Sequence, residues 1–169
     1  RRKYAIDQFT QPHVTELEGE KFHFVMDNGY DYYLHFTGEE DVEWHWNDDE
    51  PKHATYLCLK GDDTTYLVSY ELDEFLNRHD REEHFWIIDL EQRLVTFCRC
   101  KVGENPKFPY LVSSKYVFGA IDVPGMPLPL KRHVFTTDLL GTRVQWHWNT
   151  GMITQHSYYT SSFYRITMP

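Results

Sequence analysis

The stretch DLLGTRVQWHWNTGMITQHSYY, residues 138–159, decides the fold because it repeats the opening of the chain. The earlier copy is LEGEKFHFVMDNGYDYYLHF, residues 17–36. Gly19 and Gly29 fall on Gly141 and Gly151 at a constant offset of 122. Lys21 then falls on Arg143, Phe22 on Val144, Phe24 on Trp146, Leu34 on His156 and Phe36 on Tyr158. A repeat of this length implies two copies of one domain, the second represented only by its first strands.

Within the first copy the period is two. Phe22, Phe24 and Met26 alternate with Lys21, His23 and Val25, and Asp27-Asn28-Gly29 is a strong hairpin turn. A three-residue loop pairs Met26 with Tyr30 and puts Tyr32, Leu34 and Phe36 on the apolar face. A two-residue loop would bury Asp31 and His35 instead, which is costly, so the three-residue register is expected. Lys21, His23, Asp31 and His35 then face outward.

Further strands are expected over 42–46, 53–60, 64–70, 84–90, 94–101 and 113–121, separated by acidic or glycine-containing turns. A charged excursion runs from Asp73 to Glu83, and only Leu72 to His79 looks helical. Seven or eight short strands in sequence predict an all-β, antiparallel up-and-down barrel, whose closure removes exposed edges. The expected organisation is a polar lead-in (1–16), a first barrel (17–122), a proline-rich linker (123–137) and the start of a second, incomplete barrel (138–169). The face of Val144, Trp146 and Trp148 needs a cover: further residues of the chain, the first barrel, or a partner chain such as a second copy.

Composition narrows the function. The chain has 169 residues, 17% aromatic, with a formal net charge of −9. The aromatic load suits a pleated core, and the acidic balance argues against a nucleic-acid surface. No apolar run is long enough to span a membrane. Cys58, Cys98 and Cys100 read as free thiols in a reducing, cytoplasmic setting, with no zinc spacing. Ten histidines occur, yet nothing in their spacing enforces convergence on a metal, so neither metal nor organic cofactor is expected. Phosphate loops, nucleophile elbows and nucleotide fingerprints are absent.

Two Trp-His-Trp words, at 44–46 and 146–148, each place two indoles on one strand face. Trp44, Trp46, Trp146 and Trp148, together with Tyr70, are the candidate ligand-binding residues, forming a π-rich wall for a small apolar or aromatic molecule. His156 and Tyr158 share the face of the second copy and are candidate acid–base residues. Glu71 is a candidate proton donor, provided it is buried.

The Gly-x9-Gly hairpin, the aromatic pair ahead of its turn and the His156-x-Tyr158 after it resemble the MoaF family. So do His53-Ala54-Thr55, Ile88-Asp89-Leu90, Gly119-Ala120-Ile121-Asp122 and Phe163-Tyr164. That resemblance implies a lipocalin-like (calycin) fold in two domains, and by name alone an accessory role in molybdenum cofactor synthesis. The second copy is also similar to the start of phenolic acid decarboxylases, cofactor-independent calycin enzymes in which a Tyr-x-Tyr pair orients the substrate carboxylate. Trp146 and Trp148 stand at those two positions here, and Phe24 and Met26 in the first copy. Val68-Ser69-Tyr70-Glu71 looks like the segment bearing the decarboxylase glutamate. An indole cannot replace a phenol hydroxyl, so decarboxylation by that route is not expected. The expected function is a cofactor-independent lyase, isomerase or cyclase acting in a barrel cavity, with a non-catalytic small-molecule carrier as the alternative.

Overall fold

The structure, a computed structural model, describes residues 12–72, 81–148 and 150–168. They fall into two compact units, Pro12–His133 and the residues from Val134 onward. In the first unit eight antiparallel strands close a barrel in sequence order: β1 (Lys21–Met26), β2 (Asp31–Phe36), β3 (Asp41–Trp46), β4 (Lys52–Lys60), β5 (Thr65–Glu71), β6 (Arg81–Asp89), β7 (Leu94–Val102) and β8 (Val112–Asp122). This is the up-and-down barrel expected from the strand pattern.

Alternation fills the interior. Phe24, Leu34, Phe36, Val42, Trp44, Tyr56, Val68, Trp86 and Ile88 form one buried cluster. Each such side chain contributes about 1.5–3 kcal/mol by leaving water. The β1–β2 turn closes over three residues, with the Met26 amide donating to the Tyr30 carbonyl at 3.0 Å. Val25 pairs with Asp31 and Phe24 with Tyr32, which puts Tyr32, Leu34 and Phe36 inside. The seam of the barrel is the β1–β8 pair, where Met26 faces Gly119. A Cβ on Gly119 would lie 2.7 Å from the Val25 carbonyl oxygen, so the last strand needs glycine to come this close.

His23 faces outward and is bracketed by two carboxylates rather than by water alone. Its ring nitrogens lie 3.0 Å from Asp31 and 3.0 Å from Asp122, which ties β1 to both neighbours. The segment before β1 also belongs to the barrel: Leu17 is buried, and the Cys58 amide donates to His13 Nδ1 at 3.0 Å. After β8 the chain stays on the barrel wall, where Arg132 bonds Asp27 and His133 bonds Thr96.

The second unit is a three-stranded antiparallel sheet, order β11-β10-β9: β9 (Arg143–His147), β10 (Ile153–Thr160) and β11 (Phe163–Thr167). Its register repeats that of β1–β3. Trp146 pairs with Thr154 as Phe24 pairs with Tyr32, and Tyr158 pairs with Tyr164 as Phe36 pairs with Val42. The turns repeat as well. Gly19 N–H bonds the Phe36 carbonyl at 2.7 Å, and Gly141 N–H bonds the Tyr158 carbonyl at 2.8 Å, both glycines having positive φ.

One boundary differs from expectation. β6 begins at Arg81, so Glu82 and Glu83 belong to a strand rather than to a charged excursion. Of the expected helix Leu72–His79, positions 73–79 lie outside the described residues. Cys58, Cys98 and Cys100 are free thiols, and burial pushes Cys58 up to about 12.

Candidate functional site

β6 reads Glu82-x-His84-x-Trp86-x-Ile88, and by alternation all four point into the barrel. β7 reads Phe97-x-Arg99-x-Lys101 on its inner face. Antiparallel pairing then sets Tyr70 beside His84, His84 beside Arg99, and Arg99 beside Lys115, a polar row across β5 to β8. Charges are tolerated inside because they compensate one another. The Glu82 carboxylate, 3% exposed, receives Arg99 Nε at 2.7 Å and Arg99 Nη2 at 2.9 Å, with Lys101 Nζ at 3.3 Å. The bidentate fork is the strong geometry for this pair.

His84 is fully buried, and its Nε2 lies 3.0 Å from Glu82. Burial pushes the Glu82 carboxyl up, but hydrogen bonds from His84 and Arg99 outweigh it, so it stays ionised well below the usual range. Burial also holds the imidazole below its ordinary value, that is, neutral. An ionised carboxylate only accepts, so His84 Nε2–H donates to it and Nδ1 is left as an acceptor. The Tyr70 hydroxyl, 3.3 Å away, donates to that Nδ1 and accepts Trp86 Nε1–H, also at 3.3 Å. The result is one directed chain from Trp86 through Tyr70 and His84 to Glu82, where Arg99 donates from the other side.

In front of this chain lies a cavity of about 360 Å³ lined by Asn28, Tyr30, Tyr32, Trp46, Phe97, Arg99, Lys115 and Val117. Its walls are aromatic: Tyr32 lies 5.5 Å from Trp46 and 4.9 Å from Phe97 between ring centres. His84 sits directly behind it, 5.0 Å from Phe97 and 6.1 Å from Trp46. Trp44, 4.9 Å from the His84 ring, keeps its buried Nε1–H without an acceptor among the described residues. A hollow of about 400 Å³ between Glu104 and Ser113 has no aromatic wall and is a loop groove.

The expected site residues separate. Trp46 lines the cavity, while Trp44 and Tyr70 lie behind it as core. Glu71 does not face the interior: its strand neighbour Tyr70 points in, and Glu71 points out to an ion pair with Arg81. Burial, the condition for its acid role, is therefore unmet. In the second unit, Trp146, Trp148, His156 and Tyr158 share one face of β9–β11. There Trp148 Nε1–H donates to Thr154 Oγ1 at 2.9 Å, and that hydroxyl lies 3.2 Å from His156 Nε2. His156 and Tyr158 are 6.5 Å apart between ring centres, without a mutual hydrogen bond among the described contacts.

Glu82, His84 and Arg99 were not singled out by the sequence. The missed signal is the run of alternate inward positions from Glu82 to Ile88, which becomes visible once the strand starts at Arg81. Among the described residues no group of three or more His, Cys, Asp or Glu is placed to hold a metal ion. No helix among them is long and apolar enough to cross a membrane.

No curated protein matches the chain. The MoaF N-terminal domain matches residues 4–104, from ahead of β1 to the end of β7. That match spans more than half of the chain and covers the strands that build both the aromatic wall and the Glu82–His84–Arg99 row, and by it this chain belongs to the MoaF family.

Proposed function

We propose that the barrel holds a small apolar or aromatic molecule in the cavity between Tyr32, Trp46 and Phe97. The observation that carries this reading is the aromatic-walled cavity itself, about 360 Å³ at the mouth of an otherwise packed barrel. Its size lies at the lower end of ordinary ligand pockets, which suits a molecule of one or two rings.

A second reading is favoured by the Tyr70–His84–Glu82 chain immediately behind the wall. A neutral imidazole backed by a carboxylate is the state a general base requires; its Nδ1 accepts from Tyr70, so a proton would reach it through that phenol hydroxyl, which fits a cofactor-independent lyase, isomerase or cyclase. The test is a thermal-shift and fluorescence screen of phenolic acids, polyenes and pterins. Trp46→Ala should weaken the best binder by more than about 1 kcal/mol. Undiminished affinity across the panel overturns the cavity reading. Turnover of a bound compound by the wild-type protein selects the enzyme, and binding without turnover selects the carrier.

A further inference from the structure

Cys98 and Cys100 stand on the outer face of β7, away from the cavity, because they alternate with the inward Phe97, Arg99 and Lys101. Alternate residues of a strand are about 6.6 Å apart along it. The two sulfurs nevertheless lie 3.6 Å from each other, so both side chains lean together. A disulfide would need the Cβ atoms drawn to about 3.8 Å, which pinches a strand out of its extended form. β7 resists that, being paired to β6 and to β8 at both positions. Each sulfur also has a hydroxyl on β8: the Tyr116 hydroxyl bonds Cys98, and Ser114 Oγ lies 3.7 Å from the Cys100 sulfur. Cys98 is buried and Cys100 half-buried, so the pair opens on the Cys100 side. Burial, and then the bond to Cys100, pushes the Cys98 thiol up to about 11, so it keeps its proton at neutral pH.

We propose that Cys98 and Cys100 form a chelating site for trivalent arsenic, which bridges the two sulfurs. The gap between them selects the bridging atom. With bonds of about 2.3 Å, a linear two-coordinate centre needs sulfurs about 4.6 Å apart, whereas a bent one needs about 3.4–3.8 Å. A tetrahedral zinc ion also fits that edge, but it needs further protein ligands. Among the described residues no third His, Cys, Asp or Glu joins the pair. Trivalent arsenic is satisfied by two sulfurs and one substituent of its own. It also reacts with protonated thiols. An arsenic-bound oxygen takes both S–H protons and leaves as water, two As–S bonds form, and no oxidation state changes. The Ser114 and Tyr116 hydroxyls then hold the sulfurs in position, as outer partners orient the ligands of a metal.

The probe is phenylarsine oxide, added to the reduced, folded protein and followed by intact mass. One adduct is expected, which excess 2-mercaptoethanol leaves in place and ethanedithiol removes, because only a dithiol matches the linked pair. Cys98→Ser and Cys100→Ser should each weaken retention against the monothiol at least about a hundredfold, the low end of the gain from linking two sites. Cys100→Ser alters the half-buried position and carries the test even where Cys98→Ser disturbs folding. Cys58→Ala, with the barrel intact by circular dichroism, should keep the adduct, since Cys58 lies on β4. An adduct on Cys100→Ser as resistant as that of the wild type overturns the chelate, and so does its loss from folded Cys58→Ala. A wild-type adduct that the monothiol strips, or no adduct at all, overturns the site.

Discussion

Phe24, Met26, Leu34 and Phe36 in the barrel occupy the same register positions as Trp146, Trp148, His156 and Tyr158 in β9–β11. The first four are all but inaccessible to water, at 0%, 3%, 1% and 0% exposed, whereas Trp146 and Trp148 are 45% and 43% exposed. The backbones match even to the turn hydrogen bonds, in which Gly29 N–H meets the Met26 carbonyl at 3.0 Å and Gly151 N–H meets the Trp148 carbonyl at 2.9 Å. Strand and turn chemistry therefore builds a β1–β3 unit locally. The burial of its inner face is supplied by the strands that close over it, and these are β4 to β8 in the barrel. A three-stranded sheet already has its ladder hydrogen bonds, but an apolar face reaches core-level burial only when a second layer covers it.

The comparison can be broken most directly at Phe36 and Tyr158. Phe36→Ala should cost about 3–5 kcal/mol in denaturant unfolding, because a large ring is removed from a closed core. Tyr158→Ala should cost less than about 1 kcal/mol. Equal costs would show that the face of β9–β11 is as tightly packed as the barrel interior.

A second pair sharpens what the two regions share. Gly19 and Gly141 sit at φ of 84° and 76°, in the region that glycine adopts without penalty. Gly19→Ala and Gly141→Ala should each destabilise their own unit by about 1–2 kcal/mol, read by loss of amide protection in the flanking strands. A cost at one position only would mean that the two turns are not equivalent.

The regions also differ in buried ionisable groups. Glu82 and His84 are buried in the barrel, whereas in β9–β11 Thr154 is the buried polar residue among those described. The fold resists protonation of both His84 and Glu82, so the unfolded chain binds more protons and stability rises with pH. Stability should then fall as pH drops below 6.5, the ordinary histidine value, and again below 4.5, the ordinary glutamate value. Each group can contribute at most about 1.4 kcal/mol per pH unit. Urea midpoints measured along that range report it, and His84→Gln should flatten the upper part. A wild-type midpoint that stays level from neutral pH down to the glutamate range would contradict the neutral, buried imidazole.

Much of the fold was legible in the residues. Alternation, the Asp27-Asn28-Gly29 turn and the cost of burying Asp31 were enough to select the register of β1–β2, because a one-residue slip exchanges the two faces. The site was less legible. Alternation puts Trp44 and Trp46 on one face alike and does not say which of them lines a cavity, and on β5 it puts Glu71 on the side opposite Tyr70. The row from Tyr70 to Lys115 joins residues from four strands. Arg99 and Lys101 read as solvent-facing on their own strand, since charges are normally excluded from an apolar face.

By itself the sequence determined the period-two strands, the turns and the repeat, which depend on neighbours a few residues away and on equivalent positions along one chain. Only the tertiary structure decided which strand starts at Arg81, that Gly119 closes the barrel against Met26, and that Glu82 is matched by Arg99 and Lys101. The reason is that compensation of a buried charge is a property of pairs. Glu82 and Arg99 lie seventeen positions apart in the chain, at 2.7 Å in the fold. Register across two strands, which no single strand encodes, is what brings them together.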